Sequence, residues 1–127
     1  MVKKLLVLLA LMAWAAPALA GGVTPEDFKA RTTQNLVNLC AASPDDPLYN
    51  QAANFCQGYL VGAFHYYHAI SMGEKGEKLV CIPKNSGITR DKAVKMFVDW
   101  AQANPKYMQE LPVEAEFRFL IETWPCK

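Results

Sequence analysis

Apolar positions recur at helical spacing through most of residues 21–127, and clusters of proline, glycine and acidic residues cut the pattern into four stretches. The first opens at Thr24-Pro25-Glu26-Asp27. Thr24 suits capping, Pro25 fits a first helical position, and the two acids favour the positive end of a helix dipole. Phe28, Leu36, Leu39 and Cys40 continue the pattern, which predicts a first helix from about Thr24 to Ala42, halted by the turn composition of Ser43-Pro44-Asp45-Asp46-Pro47. The second stretch, Leu48 to Ser71, is the most apolar. Phe55, Tyr59, Gly62, Tyr66 and Ala69 form one stripe, flanked by Cys56, Leu60, Ala63, Tyr67 and Ile70. A stripe this wide predicts a helix packed on more than one side. Asn54, Gln57, His65 and His68 within it argue for a helix in water rather than one inserted in a membrane.

A polar, glycine-punctuated loop follows, interrupted by Cys81-Ile82-Pro83. Thr89 then caps a third helix with Val94, Phe97, Val98 and Ala101 on one face, ended by Asn104-Pro105 because the residue before proline avoids the helical region. Leu111-Pro112 opens a fourth helix carrying Phe117, Leu120 and Ile121, and Trp124-Pro125-Cys126 closes it. Glu110, Glu114, Glu116 and Glu122 read as its solvated face. The expected fold class is all-α: one domain, a small bundle of about four main helices.

The first 20 residues are expected to be a leader rather than fold. Lys3 and Lys4 precede an uncharged apolar run from Leu5 to Ala16, Pro17 breaks it, and Ala18-Leu19-Ala20 supplies small residues for cleavage before Gly21. The run is short for a membrane span, and no cysteine follows the cleavage point to take a lipid. This predicts residues 1–20 as a secretory signal and residues 21–127 as an exported helical domain. Loss of Lys3 and Lys4 from 13 basic and 12 acidic residues leaves the domain near neutral, which gives no electrostatic reason to seek nucleic acid or an anionic membrane.

Export changes the meaning of the four cysteines, Cys40, Cys56, Cys81 and Cys126. An even number in a small exported chain reads as two disulfides. No pair has the close spacing of a zinc site, and C-x-x-C is absent, which removes the thioredoxin and covalent-haem readings. Antiparallel third and fourth helices would return Cys126 to Cys81, leaving Cys40 for Cys56, although four cysteines admit three pairings.

Little else suggests catalysis or a cofactor. No G-x-S-x-G elbow and no phosphate-binding glycine loop occurs. His65 and His68 stand three apart but lack an evident third metal ligand. Gly58 and Gly62, one turn apart beside Tyr59, form a G-x-x-x-G face suited to close approach of another helix, by packing within the chain or in a homodimer. The segment Met72–Ser86 is long, polar and pinned by Cys81. Long loops within compact domains are often functional, so Glu74, Lys75, Glu77, Lys78, Lys84 and Asn85 are the candidate partner-binding residues.

In order, the landmarks are Asn38-Leu39-Cys40, Phe55-Cys56-Gln57-Gly58-Tyr59-Leu60-Val61-Gly62, Cys81-Ile82-Pro83, Asn104-Pro105 and Trp124-Pro125-Cys126. Together they resemble the Rap/Tai family of immunity proteins, across nearly all of residues 21–127. The sequence departs from that pattern in Trp124, where phenylalanine is usual, and in the His65-Tyr66-Tyr67-His68 run. The resemblance implies a non-enzymatic periplasmic protein, often a dimer, that binds and blocks a peptidoglycan amidase effector of a type VI secretion system. It implies structural roles for the four cysteines and for Gly58, Tyr59 and Gly62, and leaves the effector contacts to variable loops. On this reading either the Met72–Ser86 loop or the Asn104–Leu111 turn would plug the toxin's cleft. The competing expectations are a small periplasmic chaperone that exposes apolar surface in acid as carboxylates and histidines protonate, and a binding protein that takes a small ligand on the aromatic cluster Tyr59, Phe64, Tyr66 and Tyr67.

Overall fold

The computed structural model describes residues 21–127, and the signal segment expected at residues 1–20 lies outside them. Four α-helices make the fold: α1 (Thr33–Cys40), α2 (Tyr49–Ser71), α3 (Arg90–Ala103) and α4 (Pro112–Thr123). No strand is present among the described residues, only a single bridge between Val80 and Pro125.

The first helix starts later than the pattern predicts. Two threonines compete to begin it, each with a polar acceptor three residues on. Thr24 does not cap a helix; its amide and hydroxyl both donate to Asp27 Oδ2, which closes one short 3-10 turn over Asp27–Lys29. Ala30 then adopts a left-handed conformation (φ 44°), and the chain restarts at Thr32. Thr32 accepts from the Asn35 amide while the Asn35 side chain accepts from the Thr32 amide, a reciprocal cap that starts α1 at Thr33. Asp27 ties the two pieces together. Its other oxygen accepts from the side-chain amides of Asn35 (Nδ2, 3.2 Å) and Asn38 (Nδ2, 2.9 Å), so a buried carboxylate is met by donors on both sides.

Leu36, Val37, Phe97, Val98, Ala101, Ala115, Phe119 and Leu120 bury together where α1, α3 and α4 meet. Leu39, Ala52 and Cys56 form a second cluster between α1 and α2. The Cys40–Cys56 disulfide staples that hairpin, and Cys81–Cys126 fastens the long loop to the residues after α4. Chain-entropy arguments give about 3 kcal/mol for a loop of 16 residues and about 4 kcal/mol for one of 45.

The structure corrects the breadth of packing expected of α2. Ala52, Phe55, Cys56, Tyr59, Leu60, Phe64 and Tyr67 turn inward, in one i, i+3, i+4, i+7 series. Gly62, Tyr66, Ala69 and Ile70 face solvent, so the helix is covered on one side only. No helix among the described residues is long and apolar enough to cross a membrane.

Candidate functional site

The loop between α2 and α3 is held at its start and at its middle. Ser71, the last residue of α2, is buried and donates its hydroxyl to the His68 carbonyl. Gly76 folds back so closely that a Cβ there would sit 2.4 Å from the Ser71 carbonyl oxygen, and only glycine fits. At the midpoint, the amides of Leu79 and Val80 donate to the Tyr67 hydroxyl at 2.8 and 3.0 Å. Tyr67 is itself wedged against Phe64 and Phe117. Val80 is buried, the Cys81 amide donates to the Trp124 carbonyl at 2.8 Å, and Cys81 is bonded to Cys126. These ties divide the loop into two lobes around a fixed centre. Glu74, Lys75, Glu77 and Lys78 stand exposed on the first, Lys84 and Asn85 on the second. None of the six takes part in an ion pair among the described residues. Apolar surface continues beside the first lobe: Tyr66 is 70% exposed, Ile70 57% and Met72 62%.

The Asn104–Leu111 turn, the other expected plug, is engaged elsewhere. Its Glu110 and Met108 carbonyls accept the Thr33 and Gln34 amides at 2.8 and 3.0 Å, satisfying free donors at the start of α1. Tyr107 stacks on Trp100, with the Arg118 guanidinium 4.7 Å from its ring centre, and Arg118 pairs with Glu110. That turn is bound to the body of the domain, whereas the lobes of the long loop are free.

Gly58 and Gly62 lie on the exposed side of α2, with open space where a Cβ would stand. Packing of this face against another helix of the chain, expected from the spacing, is therefore not what occurs. Tyr59 points the other way, into the core, where burial and the neighbouring Glu116 push its phenol up. His65 and His68 are both exposed, and no group of three or more histidine, cysteine or acidic side chains could hold a metal among the described residues.

Glu116 overturns the reading of a solvated acidic face on α4. It is 3% exposed and lies beside Ala115, Phe119 and Leu120 on the inward side of the helix. It lines a half-open pocket of about 230 Å³ between α2, α3 and α4, walled chiefly by Leu60, Phe64, Val94, Phe97 and Phe119. Gln57, His65 and Arg90 are the other polar side chains on that wall. Glu116 Oε2 has no hydrogen-bond partner, and burial raises the carboxyl to about 8. Near neutral pH it is an uncharged acid in apolar surroundings. The spacing carried a signal for this: Pro112, Ala115, Glu116, Phe119 and Leu120 repeat at the helical interval, and Glu116 sits inside that series.

Neither a curated protein nor a solved structure matches the chain. A family model does, over residues 32–126, from the cap of α1 through the cysteine that closes the second disulfide. That span includes all four helices and both lobes of the loop. The chain belongs to the Rap1a immunity proteins.

Proposed function

We propose that this protein is a periplasmic immunity protein that binds and occludes a peptidoglycan amidase effector delivered by a type VI secretion system. Family membership supports a toxin-binding role. The leader pattern at residues 1–20 and two disulfides suit an oxidising compartment outside the cytoplasm. The observation that carries the mode of binding is the loop. Its backbone is fixed by Tyr67, Val80 and the Cys81–Cys126 bridge, while its charged tips are unengaged. A segment ordered before binding loses less entropy on contact, which favours a tight plug. Tyr66, Ile70 and Met72 supply adjoining apolar area for the anchor contacts, and the lobes supply steering and register. A homodimer would use the exposed glycine face of α2, which lies away from the core.

The test is a binding assay between the exported protein and the amidase encoded nearest to it, paired with protection of a host that expresses the toxin in its periplasm. Unaltered protein is expected to bind and protect. Reversing Glu74, Lys75, Glu77 and Lys78 together is expected to weaken binding at least tenfold, as for several lost charge-assisted contacts, with the folded state unchanged. Full protection by the charge-reversed variant would move the plug away from this loop, and no protection against any amidase effector would overturn the function.

A further inference from the structure

The toxin-binding surface makes no use of the cavity beneath α2. One wall of this half-open pocket carries a feature that simple packing defects lack: the carboxyl group of Glu116, 3% exposed, whose Oε2 is closed to solvent and without a hydrogen-bond partner. An unpaired polar group in apolar surroundings is costly, and native proteins rarely leave one unless something binds it. We propose that the cavity is a binding site for a small uncharged molecule, apolar over most of its surface and carrying one hydroxyl or phenol that hydrogen-bonds Glu116. The proposal does not rest on the toxin-binding reading.

Size, walls and charge each narrow the ligand. Engineered apolar cavities of roughly 150 Å³ take up benzene. The 230 Å³ here suits a single ring or branched chain with a short substituent. Phe64 and Leu60 of α2, Val94 and Phe97 of α3, and Phe119 of α4 present flat or branched hydrocarbon to it. Glu116 is the group that sets orientation. In its neutral form a carboxyl offers one donor and one acceptor, and a hydroxyl offers the same pair in return. An amine matches less well, since Arg90 also lines the cavity and repels a second cation. A carboxylate on the ligand would lose its hydration among apolar walls beside an acid.

Methyl and amide chemical shifts of the exported, disulfide-bonded protein, titrated at pH 6 with p-cresol, toluene and benzylamine, test the proposal. Shifts are expected at Leu60, Val61, Val94 and Leu120, which line the cavity. p-Cresol is expected to bind with Kd on the order of 1 mM, as for a ligand of so few atoms, and toluene about tenfold more weakly for want of one hydrogen bond. Benzylamine is expected to be the weakest of the three. Glu116→Gln, which keeps a donor and an acceptor, should hold p-cresol within about threefold, and Glu116→Leu should reverse the preference in favour of toluene. The ranking of the three probes in the unaltered protein needs no variant, so it stands even where Glu116→Leu fails to fold. Equal binding of p-cresol and toluene, tightest binding of benzylamine, shifts confined to other surfaces, or no shift with any probe would each overturn the proposal.

Discussion

Asp27 and Glu116 are equally hidden, at 3% exposure each, yet they hold opposite chemistry. Asp27 accepts from the Thr24 amide, the Thr24 hydroxyl and the side chains of Asn35 and Asn38. Burial alone would push its carboxyl up, but these donors outweigh burial and hold it below the ordinary aspartate value of 3.8. Glu116 has no such donors. Burial acts unopposed and carries it from 4.5 to about 8. Asp27 lies shallow with four donors aimed at it and Glu116 lies deep with none, so depth and donors together decide which buried acid is charged. One carboxylate joins an N-terminal turn to the bundle, and the other lines an apolar pocket.

Three measurements test whether the two acids differ in this way. The largest effect is expected from Asp27→Ala. It strands four donors and unties the 3-10 turn from α1, at a cost of about 3 kcal/mol, read as a lower urea midpoint with unchanged slope. Because the folded carboxyl is held below 3.8, the stability it contributes is fully present above that pH and is lost as pH falls through the lowered value. An acid-unfolding curve that does not differ between Asp27→Ala and the unaltered protein would show that the four hydrogen bonds carry no net stability.

Glu116 should do the reverse. The folded state keeps a proton that the unfolded chain releases between pH 4.5 and about 8. Its contribution is therefore intact below 4.5 and is lost as pH rises through about 8, at up to about 1.4 kcal/mol per pH unit in between. Glu116→Gln removes that slope and is expected to stabilise the protein at pH 7, on the order of 2 kcal/mol. Tyr59, His65 and Arg90 are the other titratable groups near it, so the scan is repeated with His65→Gln to take out the imidazole. A stability that rises from pH 5 to pH 8 would show a charged, satisfied Glu116 and would erase the contrast. The smallest effect belongs to Asn38→Ala. It removes one donor to Asp27 and should cost about 1 kcal/mol, but almost nothing in the Asp27→Ala background.

Much of the helical plan is legible in the sequence. Thr89 caps α3, Asn104-Pro105 stops it, and Leu111-Pro112 opens α4, each by a local rule that no distant contact overrides. The start of α1 was not legible. Thr24 and Thr32 carry nearly the same capping signal, and the choice between them is made by Asp27 reaching Asn35 and Asn38 on the next turns of chain. Glu116 was legible only in part, through its place in the Pro112, Ala115, Phe119 and Leu120 series. Among Glu110, Glu114 and Glu122 it reads as one more surface acid, and only the approach of α2 and α3 makes it a buried one. The exposed glycines fail in the opposite direction: spacing identifies a smooth helix face but not whether anything in the same chain lies against it.

The tie between Cys81 and Cys126 sets a timetable. On the export route proposed above, the chain would emerge from its N-terminal end, and the first hairpin could close its own bridge while the second cysteine pair is still incomplete. The charged lobes gain their fixed shape only once the last helix and the Trp124 carbonyl have arrived. A purification tag fused after Lys127 would hang beside those lobes, whereas one placed before Gly21 would leave that neighbourhood clear.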